Sequence, residues 1–255
     1  QPTAGELAMC PHHLIDFVSP ADKYDAIRFR RDFERVYAKV KARGGVPILA
    51  GGAGMYLTAL REGFMEIPGS TPERLAEVRA TLDPLSDDAI LKSLAAVDPS
   101  SAARLHPNDR YRLQRALEIH ELSGLSMTEL KDRQQPDPSL GLEFPAYVLV
   151  RDVPGLDQRI ADRTGTMLAS GWIAETEAAL RKYPPQCPGL MSIGYREIVR
   201  YLQGDLAQDL LPAAIVKVTR QYAKRQRTWF RHTEKAWSGS PAEPRLPEMI
   251  LAHFA

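Results

Sequence analysis

The sequence lacks the features of secreted, membrane-spanning and metal-stapled proteins. Its 255 residues include two cysteines, Cys10 and Cys187, too few for a disulfide framework or a structural zinc site. No uninterrupted apolar run reaches the roughly 18 to 20 residues of a membrane-spanning helix, and no signal-peptide pattern is present. These absences predict a cytoplasmic protein with reduced thiols and no contact with a membrane.

The sequence also lacks a strong overall charge. Its 33 lysines and arginines nearly balance 32 aspartates and glutamates, leaving a formal net charge of +1. No global field therefore attracts nucleic acid, and any affinity for a polyanion must come from local clustering of cations. The hydrophobic content of 44% is sufficient for a substantial core in one domain or two.

An apolar, β-prone stretch at residues 46–50 runs into Gly51, Gly52 and Gly54 and then into a helical apolar pattern. A strand, a tight turn and a helix start in this order are typical of phosphate sites in α/β proteins. A helical pattern from Ala26, ending at Gly44, precedes the stretch. The order predicts an α/β fold with a mainly parallel sheet flanked by helices.

Residues 65–141 differ from the rest because proline-containing turns separate short helical patterns, such as Glu73–Thr81 and Asp109–Leu122. This pattern predicts an all-helical insertion domain. A strand candidate at residues 146–150 then returns the chain to the sheet. We therefore expect a core domain of residues 1–64 and 142–255, interrupted by an insertion at residues 65–141.

Residues 213–231 form an amphipathic pattern in which the two sides carry different chemistry. Apolar positions on one side are Ile215, Val218, Tyr222 and Trp229, and cations recur on the other side at Lys217, Arg220, Lys224, Arg227 and Arg231. One interpretation is an ordinary solvated helix surface. The absence of interleaved acidic residues favours an anion-binding surface instead, and Arg225 is predicted to point toward the apolar side.

A second helix, beginning near Leu156, combines arginines with an apolar face. The wheel places Arg159 and Arg163 on the side formed by Leu156, Ile160 and Met167. An inward arginine requires an anion or a carboxylate partner. The alternatives are a bound anion and an internal salt bridge to Asp152 or Asp162.

No metal site and no catalytic triad is predicted. His12 and His13 are adjacent, and neighbouring side chains of an extended segment point to opposite faces, so they cannot chelate one ion.

Asn108 or Asp109 can cap a helix on which Arg112 and Arg115, three residues apart, can face one partner.

Several motifs together resemble the tRNA dimethylallyltransferase (isopentenyltransferase) family, in order from about Pro2 to Trp237. The motifs are the residue 46–60 run, Pro11-His12-His13-Leu14-Ile15-Asp16, His106-Pro107-Asn108-Asp109-Arg110-Tyr111-Arg112, Ile193-Gly194-Tyr195-Arg196 and Lys224-Arg225-Gln226-Arg227-Thr228-Trp229-Phe230-Arg231. The resemblance implies a P-loop-NTPase-like, nucleotide- and ATP-binding type of core. It also implies transfer of a dimethylallyl group from dimethylallyl diphosphate, with magnesium, to the exocyclic amine of the adenosine 3′ of the anticodon. The partners would be the tRNA anticodon stem-loop and dimethylallyl diphosphate, and we expect a monomer.

The resemblance also implies roles for individual residues. Arg159 would contact the diphosphate and assist catalysis, and Arg163, Gly51 and Gly52 would complete the diphosphate site. Ala53 occupies the catalytic position at which relatives have threonine. The tRNA-binding residues would be Arg74, Tyr111, Arg112, Leu113, Gln114, Arg115, Met191, Ser192, Ile193, Gly194, Tyr195, Arg196, Lys224, Arg225, Gln226, Arg227, Thr228, Trp229, Phe230 and Arg231.

The sequence departs from the family pattern in ways that bear on activity. Neither a P-loop of the GPTASGKT kind nor the DSxQ segment that supplies the proposed base is present. Ala53 cannot form a side-chain hydrogen bond, and Met191 replaces the usual arginine. We therefore expect a truncated chain, inactive by itself. The alternatives are a non-catalytic tRNA-binding remnant and an adenylate isopentenyltransferase, while a generic P-loop kinase is poorly supported.

Overall fold

A computed structural model of the chain describes residues 3–63, 67–133 and 145–253. These residues form two compact units, Gln1–Leu60 with Leu140–Ala255 and Arg61–Ser139. We call them the core unit and the helical unit. The second interrupts the first along the sequence, so the core unit is assembled from two separate stretches of chain.

Helices dominate both units. The first eight are α1 Ala4–Met9, α2 Ala26–Ala42, α3 Gly54–Glu62, α4 Pro72–Leu82, α5 Asp87–Val97, α6 Pro99–Arg104, α7 Arg110–Ser123 and α8 Met127–Arg133. From residue 145 to residue 253 the structure describes α9 Val153–Ala169, α10 Trp172–Leu180, α11 Tyr195–Leu202, a short 3-10 helix Gln208–Leu210, α12 Leu211–Arg231 and α13 Leu246–Leu251.

Two short strands of the core unit, β1 Tyr147–Leu149 and β2 Trp237–Gly239, pair in parallel with Tyr147 opposite Trp237. The Tyr147 hydroxyl donates to the Met249 carbonyl oxygen at 2.7 Å and ties α13 to the sheet. Parallel strands joined through helices give the chain the predicted α/β fold, although helices make up most of it.

The stretch at residues 46–50, predicted as a strand, lies in no sheet of the described part of the chain. Ile48 is 76% exposed, and Val46 and Leu49 are also exposed. A strand exists only through hydrogen bonds to a neighbour, so an apolar, β-prone sequence cannot form one alone. The prediction of this strand is therefore not met by the residues that the structure describes.

The core unit packs its last long helices around one apolar cluster. Trp172 of α10, Ile198 of α11 and Leu211 and Ile215 of α12 are buried together. Helix α9 also packs against α12. Burial of these apolar side chains stabilises the packing of one side of α12, and the opposite side faces solvent.

The helical unit has its own apolar core, formed by Leu82, Ile90, Leu94, Leu113 and Leu117. Polar side chains cap its helices: Thr71, Ser86, Asp98 and Asp109 accept hydrogen bonds from the first turns of α4, α5, α6 and α7. Each cap satisfies a backbone N–H that the helix leaves unpaired.

Within the described ranges, no helix is both long and apolar enough to cross a membrane.

Candidate functional site

The glycine turn at residues 51–54 rests directly on α12. The Gln226 side-chain amide donates to the Gly52 carbonyl oxygen at 3.0 Å. A methyl group at Gly54 would overlap the Trp229 ring, whereas one at Gly51 would meet nothing within 4 Å. The small residues therefore serve a close approach between the turn and α12. The sequence alone does not indicate this contact, because the Gly52–Gln226 hydrogen bond joins positions 174 residues apart.

Three of the predicted tRNA-binding residues on α12 make contacts inside the core unit. Besides Gln226 and Trp229 on the glycine turn, Phe230 packs edge-on against Trp229 with ring centroids 4.7 Å apart. The Thr228 hydroxyl is exposed and donates to the Lys224 carbonyl oxygen at 3.1 Å. Packing of this kind holds α12 and its cations in place.

The cations of α12 remain largely free of acidic partners. Arg220 pairs with Asp157 of α9, with Nε and Oδ2 at 3.2 Å. Among the residues that the structure describes, none of the other five forms an ion pair; these are Lys217, Lys224, Arg225, Arg227 and Arg231. All five are exposed except Arg227, which is half-buried. The surface is therefore positively charged over most of the helix length.

The orientation predicted for Arg225 is wrong, because this side chain is exposed. Its guanidinium lies 5.7 Å from the centre of the Tyr222 ring. Arg225 stands about 60° round the helix from Tyr222, at the border of the apolar side, and a long side chain there reaches solvent.

The inward orientation predicted for Arg159 and Arg163 is also wrong, because both are exposed. The buried side of α9 is centred on Ile160 and Thr164. Arg159 stands about 100° round the helix from Ile160, and Arg163 about 60°, so both lie at the margin of the buried side. Long arginine side chains at a margin extend into solvent.

The internal salt bridge considered for these arginines is not formed. Asp152 caps α9 by accepting from the Gly155 N–H at 2.8 Å, and Asp162 accepts from the Gln158 amide at 2.8 Å. Within the described part of the chain neither Arg159 nor Arg163 has an acidic partner. Both guanidinium groups are therefore available to an anion from solution.

The segment from residue 191 to residue 196 divides into residues that are at least half-buried and residues that are exposed. Gly194, at φ +89°, packs against the Trp172 ring and donates to Glu197 at 2.8 Å. The Tyr195 hydroxyl donates to Glu175 at 2.7 Å, and burial and then this carboxylate raise the pKa of Tyr195 to about 12. Ile193 is half-buried. The exposed residues are Met191, Ser192 and Arg196.

In the helical unit, Leu113 is fully buried in the apolar core, so its side chain cannot contact RNA. The tRNA-binding role that the resemblance implied for Leu113 is therefore wrong, because the apolar period of α7 places this side chain inward. Arg115 donates to Glu118 at 2.8 Å, and Arg79 donates to the same carboxylate at 2.7 Å. Gln114 donates to Asp83 at 2.6 Å.

Glu118 is the buried centre of this network. Burial by itself raises the pKa of the carboxyl, but the hydrogen bonds and charges of Arg79 and Arg115 outweigh it and lower the pKa below its usual value. Arg110, not singled out from sequence, similarly donates to the Leu85 carbonyl oxygen and to Asp87, each at 2.7 Å. Its position at the start of α7 gave no signal of these partners.

Three predicted RNA-binding residues of the helical unit stay on its surface. Arg74 and Tyr111 are exposed, and Arg112 is 69% exposed although it pairs with Asp109 at 3.3 Å. As for metals, no group of three or more histidine, cysteine, aspartate or glutamate residues in the described ranges could hold an ion.

Fold and site together define a two-unit α/β protein with an exposed basic helix against a glycine turn, a class suited to binding a polyanion. The chain belongs to the IPP transferase family, whose model matches residues 1–233. The resemblance seen in the sequence is thereby confirmed.

Curated relatives and solved structures agree with this assignment. The tRNA dimethylallyltransferases of Halorhodospira halophila and Cupriavidus necator are 39% and 41% identical, each over 91% of this chain and 75% and 74% of their own lengths. The match to the tRNA isopentenylpyrophosphate transferase structure of Bacillus halodurans covers 100% of this chain and 80% of that chain, with a TM-score of 0.66 and 28% identity. The match to a eukaryotic dimethylallyltransferase acting on tRNA covers 99% of this chain and 66% of that chain, with a TM-score of 0.77 and 25% identity.

Proposed function

We propose that the chain acts in transferring a dimethylallyl group from dimethylallyl diphosphate to the exocyclic amine of the adenosine 3′ of the anticodon in tRNA. In this reaction the amine nitrogen bonds to the dimethylallyl carbon that carries the diphosphate oxygen. The bond between that carbon and the oxygen breaks, diphosphate leaves, and the nitrogen loses a proton. Family membership and relatives named tRNA dimethylallyltransferase support the proposal.

The observation that carries the proposal is the set of unpaired cations on α12. Lys224, Arg225 and Arg231 are exposed and have no acidic partner in the described part of the chain, while Gln226 and Trp229 lock the helix onto the glycine turn. A row of cations on a helix that is already fixed suits RNA phosphates, because little backbone freedom is lost on binding. On the helical unit, Arg74, Tyr111 and Arg112 would add contacts.

Arg159 and Arg163 would bind the diphosphate. They are four residues apart on α9, exposed and without acidic partners in the described ranges. A planar guanidinium group donates two parallel hydrogen bonds to phosphate oxygens, and it would stabilise the charge that the leaving diphosphate gains. The backbone of Gly51 and Gly52 would face the same substrate, and Ala53 would supply no hydroxyl there.

Magnesium binding, ATP-type nucleotide binding, a cytoplasmic location and a monomeric state stay predictions. The described residues supply no group of three carboxylates, histidines or cysteines for a metal ion. Residues 1–255 also contain no P-loop sequence. The roles above therefore rest on the arginines and lysines alone, and no step depends on a metal.

A non-catalytic tRNA-binding protein is the second candidate, and Ala53 favours it because relatives usually have a threonine there. An adenylate isopentenyltransferase acting on a free nucleotide would gain little from a basic helix of 21 residues. The two tRNA-binding proposals differ only in turnover, which an assay can separate.

The test combines RNA binding with transfer of label. The chain is incubated with radiolabelled dimethylallyl diphosphate and an anticodon stem-loop RNA, alone and after fusion to a family P-loop and DSxQ segment. We expect RNA binding in both proteins and labelled RNA only with the fusion. An RNA in which guanosine replaces the acceptor adenosine is the control and should stay unlabelled. Failure of both proteins to bind the RNA would refute the proposal.

A further inference from the structure

A basic depression lies between α11 and α12, outside the residues assigned above to the diphosphate. Its volume is about 370 Å³. Arg196 and Arg200 of α11 and Lys217 of α12 line it, together with Glu197 and an apolar floor that includes Ala214 and Val218. Three cations from two helices therefore surround one small cavity.

The one carboxylate in the depression is already fully engaged. Glu197 is buried, and one of its oxygens accepts from the Gly194 N–H at 2.8 Å. The other oxygen accepts from Arg196 Nε and Nη2 at 3.1 and 3.0 Å. Glu197 thus offsets Arg196 and leaves the other two cations of the depression uncompensated.

Arg200 and Lys217 have no acidic partner among the residues that the structure describes. The Arg200 guanidinium makes one long hydrogen bond in the described part of the chain, at 3.5 Å to the Asp205 carbonyl oxygen, and the Arg200 and Lys217 side chains are exposed. Like charges brought together by two packed helices repel one another, and this repulsion is relieved when an anion binds between them.

We propose that this depression binds a backbone phosphate of the RNA substrate, with Arg200 and Lys217 as its ligands. The proposal rests on the proposed function and extends it beyond the residues suggested by the family resemblance. Lys217 lies on the same side of α12 as Lys224, seven residues earlier, which is about 10 Å along the helix. One RNA strand following α12 would therefore meet both lysines. This continuity favours a phosphodiester of RNA over a free phosphate.

The test compares two double variants with the same loss of charge. Arg200→Gln with Lys217→Gln removes the two ligands, and Arg181→Gln with Lys182→Gln removes two exposed cations that do not line the depression. Binding of an anticodon stem-loop RNA is measured by fluorescence anisotropy at several salt concentrations. We expect the first variant to bind about tenfold more weakly, with a salt slope lower by about 0.7 to 0.9 for one lost phosphate contact. The second should stay close to the unsubstituted chain.

Further measurements separate the possible failures. If the unsubstituted chain binds RNA but the two variants behave alike, this inference fails and the proposed function stands. If the unsubstituted chain does not bind RNA, both fail. Titration with inorganic phosphate is the third arm: loss of phosphate binding in the first variant, with unchanged RNA affinity, would show a free-phosphate site and overturn the RNA assignment. Lys217→Gln alone, expected to weaken RNA binding about threefold, gives the same comparison with a single exposed substitution.

Discussion

Helices α7 and α12 both carry arginines at regular spacing, yet their arginines meet different surroundings. On α7, Arg110, Arg112 and Arg115 each form an ion pair, with Asp87, Asp109 and Glu118 respectively. On α12, one cation of six forms a pair in the described part of the chain, Arg220 with Asp157.

The position of the carboxylates accounts for this difference. The helical unit places acidic side chains at helix starts and inside its core, where they bind the arginines of α7 and stabilise the unit. Helix α12 itself contains no acidic residue, and apart from Asp157 beside Arg220 no acid of the described chain pairs with its cations, so five of the six can bind an external anion. Arginine content alone therefore does not identify an RNA-binding helix; the partners of each arginine decide its role.

The largest expected effect is on the buried centre of the α7 network. Glu118→Ala removes the carboxylate to which Arg79 and Arg115 donate, and we expect the free energy of unfolding to fall by about 3 kcal/mol because charge-assisted hydrogen bonds are lost. Urea unfolding followed by circular dichroism measures it. Glu121→Ala, an exposed change on the same helix, should cost less than about 0.5 kcal/mol. Equal losses would mean that the network is not structural.

The inner side of α12 should behave as a packed surface. Gly54→Ala brings a methyl group into the Trp229 ring, and overpacking of this kind costs about 1 to 3 kcal/mol. Gly51→Ala is the matched control, because nothing lies within 4 Å of its added methyl group. Thermal melting of the two variants compares them. If Gly54→Ala melts like Gly51→Ala, the glycine turn does not hold α12.

The comparison also extends to α9, whose exposed arginines resemble those of α12. Arg159→Ala should weaken binding of inorganic pyrophosphate about tenfold and leave stability and RNA affinity nearly unchanged. Isothermal titration calorimetry measures the first quantity, and Arg181→Ala is the control. A large loss of stability with unchanged pyrophosphate binding would instead restore the inward, structural orientation of Arg159.

The smallest expected effect is on the pH dependence of the free energy of unfolding. Because the pKa of Glu118 is lowered in the folded chain, this carboxylate contributes stability that is fully present above its unfolded pKa. That contribution is lost as the pH falls through the lowered, folded value. Glu118→Gln should therefore differ most from the unsubstituted chain near neutral pH and least in acid. A stability difference that grows on acidification would contradict this assignment.

The sequence predicted those features that depend on local periodicity. The amphipathic pattern of α12 and the helices of the 65–141 segment follow from spacing alone. The strand at residues 46–50 did not form among the described residues, because strands depend on a partner that local sequence does not specify. The burial of Leu113 follows from the apolar period of α7, but the family correspondence had assigned it to RNA.

The partners of individual arginines were harder to predict. Glu118 lies three residues after Arg115, a spacing that indicates an ion pair, but its contact with Arg79 joins positions 39 residues apart. Arg159 and Arg163 lie at the margin of a helix face, where a wheel cannot separate inward from outward. The hydrogen bond from the Gln226 amide to the Gly52 carbonyl oxygen joins two motifs that are far apart in the sequence. Only the folded structure reveals this contact.

The salt dependence of RNA binding tests the contrast between the two helices most directly. Lys224→Gln with Arg231→Gln removes two unpaired cations of α12, and Arg110→Gln with Arg115→Gln removes two paired cations of α7. We expect the first pair of substitutions to lower the slope of log affinity against log salt by about 0.7 to 0.9 for each lost phosphate contact and to leave the melting temperature unchanged. The second should lower the melting temperature and leave the slope unchanged. A slope that falls equally in both variants, or only in the α7 variant, would show that unpaired cations do not distinguish α12 from α7.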